Sequence, residues 1–277
     1  MKTKVLEREF SEYDIDKDAW KAEKLHGISA LMRLKDDTEF VEWSILSHMR
    51  WIDEWVLVVQ PSRDHTLELA QEIAEDVKNV RVLEYPFEVE WLTPKVGEMK
   101  DHSITSPVHM TNWGLSQCNY SWTAKIEGDV VALPTFQHIR DLVDMRDDDP
   151  KYYGRVGLNV AGTDYSMVSK TNPRNAGWDE AVFPTDPKFH CISSQKWETM
   201  NMTHYPNLMH NMGWSFMHMK RCKTGASPED ENEQWIKFTK AGVEEALRKY
   251  AGKHGEYPGE KGDNPDVIYD WRDSYAK

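Results

Sequence analysis

Apolar positions follow two rhythms along this chain, continuous short runs alternating with residues spaced three and four apart. The run GISALMRL at 27–34 predicts a buried strand that ends in the polar loop Lys35-Asp36-Asp37. Thr38 is placed to cap a helix whose positions Val41, Ile45, His48, Met49 and Ile52 recur at helical spacing, with one histidine on the apolar stripe. WVLVV at 55–59 reads as a strand buried on both faces, the pattern of a central parallel strand. A polar loop at 60–66 follows, then a helix with Leu67, Ala70, Ile73, Ala74 and Val77 on one face, then a strand at 80–85. Strand, helix, strand, helix, strand predicts a doubly wound α/β sheet, which binds ligands beyond the carboxyl ends of its strands.

Residues 86–105 show no pattern, but Pro107 at a first helical position predicts a helix from Ser106 to Gln117. A strand is expected over 119–127, a helix over 134–146, and strands near 152–160 and 165–169. The stretch 170–187 reads as a long polar loop, and no periodicity emerges near Met209–Met219. Ser227 and Pro228, followed by Glu229 and Asp230, predict a C-terminal helix that carries Trp235 and Phe238 on its docking face. The N-terminal 26 residues suggest a short strand near Lys4–Phe10 and a helical turn near Asp16–Lys24. The expected division is a main domain over 1–222, with halves at about 27–145 and 146–222, and a C-terminal helix and tail over 223–277.

Charge narrows the function. A formal net charge of −13 argues against nucleic acid as a partner, because such binding rests on lysine and arginine neutralising phosphates. Three widely spaced cysteines, Cys118, Cys191 and Cys222, form neither a disulfide framework nor a zinc spacing. With no signal-like run at the start and no transmembrane segment, a soluble, cytoplasmic protein is expected. The twelve tryptophans are mostly core filling, since large rings bury well.

The chemistry gathers at Glu127-Gly128-Asp129, at a predicted strand end. Residues i and i+2 share a face of a strand, and glycine admits a close neighbour, so both carboxylates can meet one divalent cation. Pairs of acids at this spacing also arise by chance in a chain with 47 of them, so context carries the signal.

Three segments together resemble the GT-A glycosyltransferases, in particular the family-2-like group: ISALMRLKDDTEFVEWSIL at 28–46, VLVVQPSRDHTLELA at 56–70, and NWGLSQCNYSWTAKIEGDVVALP at 112–134. The similarity covers about residues 27–145. It implies a GT-A-like, mostly parallel sheet flanked by helices and the transfer of a sugar from a nucleoside diphosphate donor to a glycan or other hydroxyl acceptor. Glu127 and Asp129 then correspond to the acidic pair that holds Mn²⁺ or Mg²⁺, and His218 resembles the late histidine that some members add. Gln60, Ser62 and Asp64 fall in the nucleotide-binding turn, and Arg33 and Lys35 at the first strand end are candidate phosphate contacts. Asp179 and Glu180 resemble the acceptor-side acids, candidates for the base, with Trp178 stacking on a sugar. Two departures stand out: Gln60 replaces the usual base-contacting aspartate, and Glu127 is one methylene longer than the usual first acid. Two rivals remain, a sugar nucleotidyltransferase, which would want a glycine-rich loop after the first strand, and a non-catalytic carbohydrate- or nucleotide-binding relic of the same fold.

Overall fold

A computed structural model describes residues 11–89, 103–145, 152–162, 165, 167–169, 174–193, 198–201, 209–223, 235–237 and 241–242. The chain divides into two compact units, each built from three interleaved stretches: Met1–Asp36, Asp53–Ala124 and Phe183–Asn207 form one; Asp37–Ile52, Lys125–Val182 and Leu208–Lys277 form the other.

In the first unit β1 (Leu25–Leu34), β2 (Glu54–Val59) and β3 (Val80–Glu84) are parallel, with Leu31 opposite Val56 and Leu57 opposite Val82. β4 (Tyr120–Glu127) lies on the other side of β1. All six residues of β2 are buried, as the continuous WVLVV run requires for a strand flanked on both edges. The first α-helix, α1 (Lys17–Lys21), starts at Asp16, whose carboxylate accepts from the backbone N–H groups of Asp18 and Ala19. The crossover into β3 is α3 (Thr66–Asp76), which buries Thr66, Ala70 and Ile73 and leaves its other face to solvent. α4 (Pro107–Ser116) is capped by the Ser106 hydroxyl at the Val108 N–H and carries proline in its first turn. It is buried along its whole length, and Gly114 explains how closely it lies to the sheet: a Cβ there would come within 2.7 Å of Leu31 Cδ1.

One buried charge organises the amino ends of these strands. The Glu54 carboxylate accepts from Ser29 Oγ, Arg81 Nη1, Asn119 N and Asn119 Nδ2, all within 2.9 Å. Burial alone would raise its pKa, but these donors outweigh that and hold it below the ordinary value.

In the second unit α2 (Val41–His48) packs on β5 (Val130–Ala132), and α5 (Phe136–Asp144) packs on β11 (Met209–Arg221). β6 (Tyr152–Ala161) pairs in parallel with β11 and antiparallel with β7 (Met167–Ser169) and β8 (Arg174–Pro184). β11 also pairs antiparallel with β5. β6 carries an unusual core element, the fully buried Arg155. Its guanidinium sits over the rings of Phe136 and Phe216, with centroids at 4.6 and 5.0 Å, and its Nη2 donates to His48 Nε2 at 3.1 Å. His48 Nδ1–H donates in turn to the Ser44 carbonyl at 2.8 Å, so the histidine on the apolar stripe of α2 is a neutral, doubly bonded core group.

The result is the mixed sheet flanked by helices that the strand–helix alternation predicts, in keeping with the expected α/β class. The structure corrects the sequence expectations in several places. The expected loop at 170–187 contains the eleven-residue β8, and the unpatterned stretch near Met209–Met219 is the thirteen-residue β11. Within 188–201 a two-stranded antiparallel element forms from β9 (Cys191–Ser193) and β10 (Glu198–Met200). Where a helix was expected from Ser227, the described residues show a short strand, β12 (Trp235–Lys237), paired with β7, and helical backbone at residues 241–242. Thr38 does not cap α2; Phe40 holds that position without a side-chain hydrogen bond. The strand expected near Lys4–Phe10 lies outside the described residues. No described helix is long and apolar enough to cross a membrane.

Candidate metal centre

The Glu127-Gly128-Asp129 turn joins β4 to β5, and the pairing of β5 with β11 decides what faces it. Register places His218 opposite Val130, and the next residue, Met219, donates its N–H to the Asp129 carbonyl at 2.8 Å. His218 therefore arrives beside the acidic turn by strand pairing. Ser44 on α2 steadies the turn from another side, its Oγ donating to the Glu127 carbonyl at 3.1 Å.

Ligand atoms of Glu127, Asp129 and His218 all lie within 4.8 Å of one another. His218 Nε2 is 3.6 Å from Glu127 Oε2 and 3.5 Å from Asp129 Oδ1. The far ring nitrogen is fixed as well: the parallel β6–β11 register sets Asn159 opposite His218, and Nδ1–H donates to Asn159 Oδ1 at 2.9 Å. That bond assigns the tautomer and directs Nε2 at the two carboxylates, the outer-partner arrangement characteristic of metal-ligating histidines. Asp129 and His218 are buried and Glu127 is half-buried, so a cation held here would keep a solvent-facing side. Two carboxylates and an imidazole in this geometry suit a divalent cation.

One residue without any motif to announce it completes the cluster. Lys223 Nζ donates to Asp129 Oδ2 at 3.0 Å and to Asp37 Oδ1 at 2.6 Å. Burial alone would raise the Asp129 carboxyl, but its interactions with His218 and Lys223 outweigh it and hold the group far below the usual range. Lys223 is shifted the other way: burial would lower it, and Asp129 and Asp37 together hold its ammonium well above the ordinary lysine value.

The other candidates lie in the first unit or on β8. Gln60, next after β2, is 3% exposed, and neither atom of its side-chain amide has a hydrogen-bond partner among the described residues. Ser62 Oγ donates to the Gln60 carbonyl and accepts from Asp36 N–H. Asp36, in the left-handed region at φ 54, accepts from the Arg63 backbone and guanidinium and so joins the loops after β1 and β2. Asp64 accepts from the Thr66 N–H and hydroxyl and thereby fastens the start of α3. Arg33 is ion-paired with the buried Glu198, which also accepts from Thr111, and Lys35 pairs with Glu88. Trp178, Asp179 and Glu180 stand on β8, in a strand where a loop was expected, and their side chains lie outside the described residues.

No family model matches the chain, and no curated protein matches it. Among solved structures, residues 1–349 of TarS from S. aureus are 13% identical, with 90% of this chain and 78% of that one covered at a TM-score of 0.49. A crystal structure of a mycobacterial protein is 11% identical over 75% of this chain and 71% of its own, with a TM-score of 0.47. Glucosyl-3-phosphoglycerate synthase from Mycobacterium tuberculosis, in complex with Mn²⁺, UDP-glucose and phosphoglyceric acid, is 14% identical over 87% of this chain and 84% of its own, with a TM-score of 0.44. Likenesses of this strength fix no activity for the chain.

Proposed function

We propose that this chain is a metal-dependent glycosyltransferase that moves a sugar from a nucleoside diphosphate sugar to a hydroxyl acceptor. The observation that carries the reading is the convergence of Glu127, Asp129 and His218, with the imidazole aimed by Asn159. Mn²⁺ or Mg²⁺ held by these three would supply Lewis-acid stabilisation of the charge that grows on a departing diphosphate. In a chain of net charge −13 such a cation would offset the charge of a bound diphosphate.

The residues divide the remaining work. Gln60 is assigned to the nucleobase. A buried amide left without a partner costs about 1–3 kcal/mol, and a base edge offers the donor and acceptor that it lacks. Ser62 and Asp64 hold the turn that positions it. Arg33 and Lys35 are assigned to the phosphate side of the donor. Asp179 and Glu180 are the candidate general bases for the acceptor hydroxyl, and Trp178 is the candidate stacking surface for its sugar.

Thermal unfolding against UDP, GDP, CDP and dTDP, each with and without Mn²⁺, tests the reading. A ligand at 100 times its dissociation constant adds about 2.7 kcal/mol. The expected result is a shift that requires both the metal and one nucleotide and that disappears in Asp129→Ala. No shift with any pair would remove the donor-site assignment and favour a relic that has lost this chemistry.

A further inference from the structure

Asp129 presents its two oxygens to different partners. Oδ1 lies 3.5 Å from His218 Nε2, on the side shared with Glu127, while Oδ2 accepts from Lys223 at 3.0 Å. The lysine is the middle member of a bridge, since the same ammonium donates to Asp37 at 2.6 Å. Side-chain exposures of 24% for Lys223, 7% for Asp129 and 14% for Asp37 place this bridge inside the second unit, where solvent screens it far less than a surface pair.

Such a bridge constrains the acid in two ways. It occupies Oδ2, so a cation beside His218 and Glu127 meets Asp129 through Oδ1 alone. It also sets a fixed positive charge one carboxylate away from any cation that enters. We propose that Lys223 is a resident counter-cation of the centre, a positioning residue that holds Asp129 ready while keeping the protein's own hold on a divalent cation weak. The proposal rests on the metal reading above and goes beyond it, because it assigns the strength of the site to a residue that is not a ligand.

Charge alone then predicts opposite effects at the two ends of the bridge. Lys223→Met keeps the three carboxylates and removes this ammonium, so affinity rises. Asp37→Asn leaves the ammonium with one carboxylate fewer to neutralise it, so affinity falls. A unit charge acting on a divalent ion across one carboxylate, even at water-like screening, corresponds to roughly a tenfold change in dissociation constant.

The experiment is a Mn²⁺ titration of the full chain without nucleotide, with free ion followed by electron paramagnetic resonance. Lys223→Met should bind Mn²⁺ about tenfold more tightly than wild type. Lys223→Arg should match wild type, and Asp37→Asn should bind more weakly. Because the two bridge variants move in opposite directions, misfolding cannot imitate the pair. A Lys223→Met protein that binds Mn²⁺ no better than wild type overturns the proposal while leaving the metal reading in place. Wild-type affinity in Asp129→Asn removes the metal reading itself, and the proposal with it.

Discussion

Acidification should destabilise the second unit through one residue, His48. Its imidazole is completely buried, donates to the Ser44 carbonyl and accepts from the Arg155 guanidinium. A proton on Nε2 would have to sit against that guanidinium. Burial, and then the charge of Arg155, hold the imidazole well below the ordinary histidine value, against a smaller opposing pull from Ser44. The unfolded chain has no such restriction and takes up the proton near pH 6.5. Native structure therefore binds fewer protons, so the contribution of His48 is fully present above about pH 6.5 and is lost as pH falls toward the lower native value. Between pH 8 and pH 5 the loss is about 2 kcal/mol, with a limiting slope of about 1.4 kcal/mol per pH unit. Denaturant unfolding followed by tryptophan fluorescence across this range measures it. His48→Gln, which keeps an acceptor for Arg155 without a titrating proton, should show a stability profile shallower than wild type by that amount. Parallel profiles for the two proteins would refute the reasoning, because the other ten histidines are common to both.

Two further outcomes follow from the geometry. Asn159→Ala removes the acceptor that fixes the His218 tautomer and should weaken Mn²⁺ binding by about 10–100-fold while leaving the circular dichroism spectrum unchanged; equal affinity would show that the imidazole needs no such partner. Gly157→Ala places a methyl 2.0 Å from Phe216 Cε2, beneath the ring that covers Arg155, and should cost about 1–3 kcal/mol, read as a lower denaturant midpoint, with an unchanged midpoint counting against it.

Several described elements before residue 145 announce themselves because their signals are local. WVLVV is buried on both faces, Pro107 opens a helix, and Phe136, Ile139 and Val143 line the inner face of α5. Strand β11 was illegible for a physical reason. Its register against β6 slips between Asn211 and Trp214, between Trp214 and Phe216, and between His218 and Arg221, so no single period survives along it. Instead, Ser215 to Met219 form one continuous buried block. Strand β8 reads as loop from sequence because Arg174 to Glu180 carry glycine, asparagine and charge; only Ala181, Val182 and Phe183 show the apolar run of a buried strand. The acidic pair and His218 could be singled out by resemblance, whereas Asn159, Lys223 and Asp37 could not. Each enters the cluster through strand register or a long side chain, and nothing in the residue order records that.

The seating of His218 opposite Val130 has a consequence for how the molecule assembles. Asp129 and His218 are roughly ninety residues apart in the chain, and contacts of such separation form late because loop closure must come first. Until β11 has entered between β5 and β6, the acidic turn lacks its imidazole and its ammonium together. If the cluster holds a cation as proposed, uptake of Mn²⁺ during refolding should lag behind the recovery of secondary structure. A nascent chain that ends before residue 209 would carry both carboxylates and no centre.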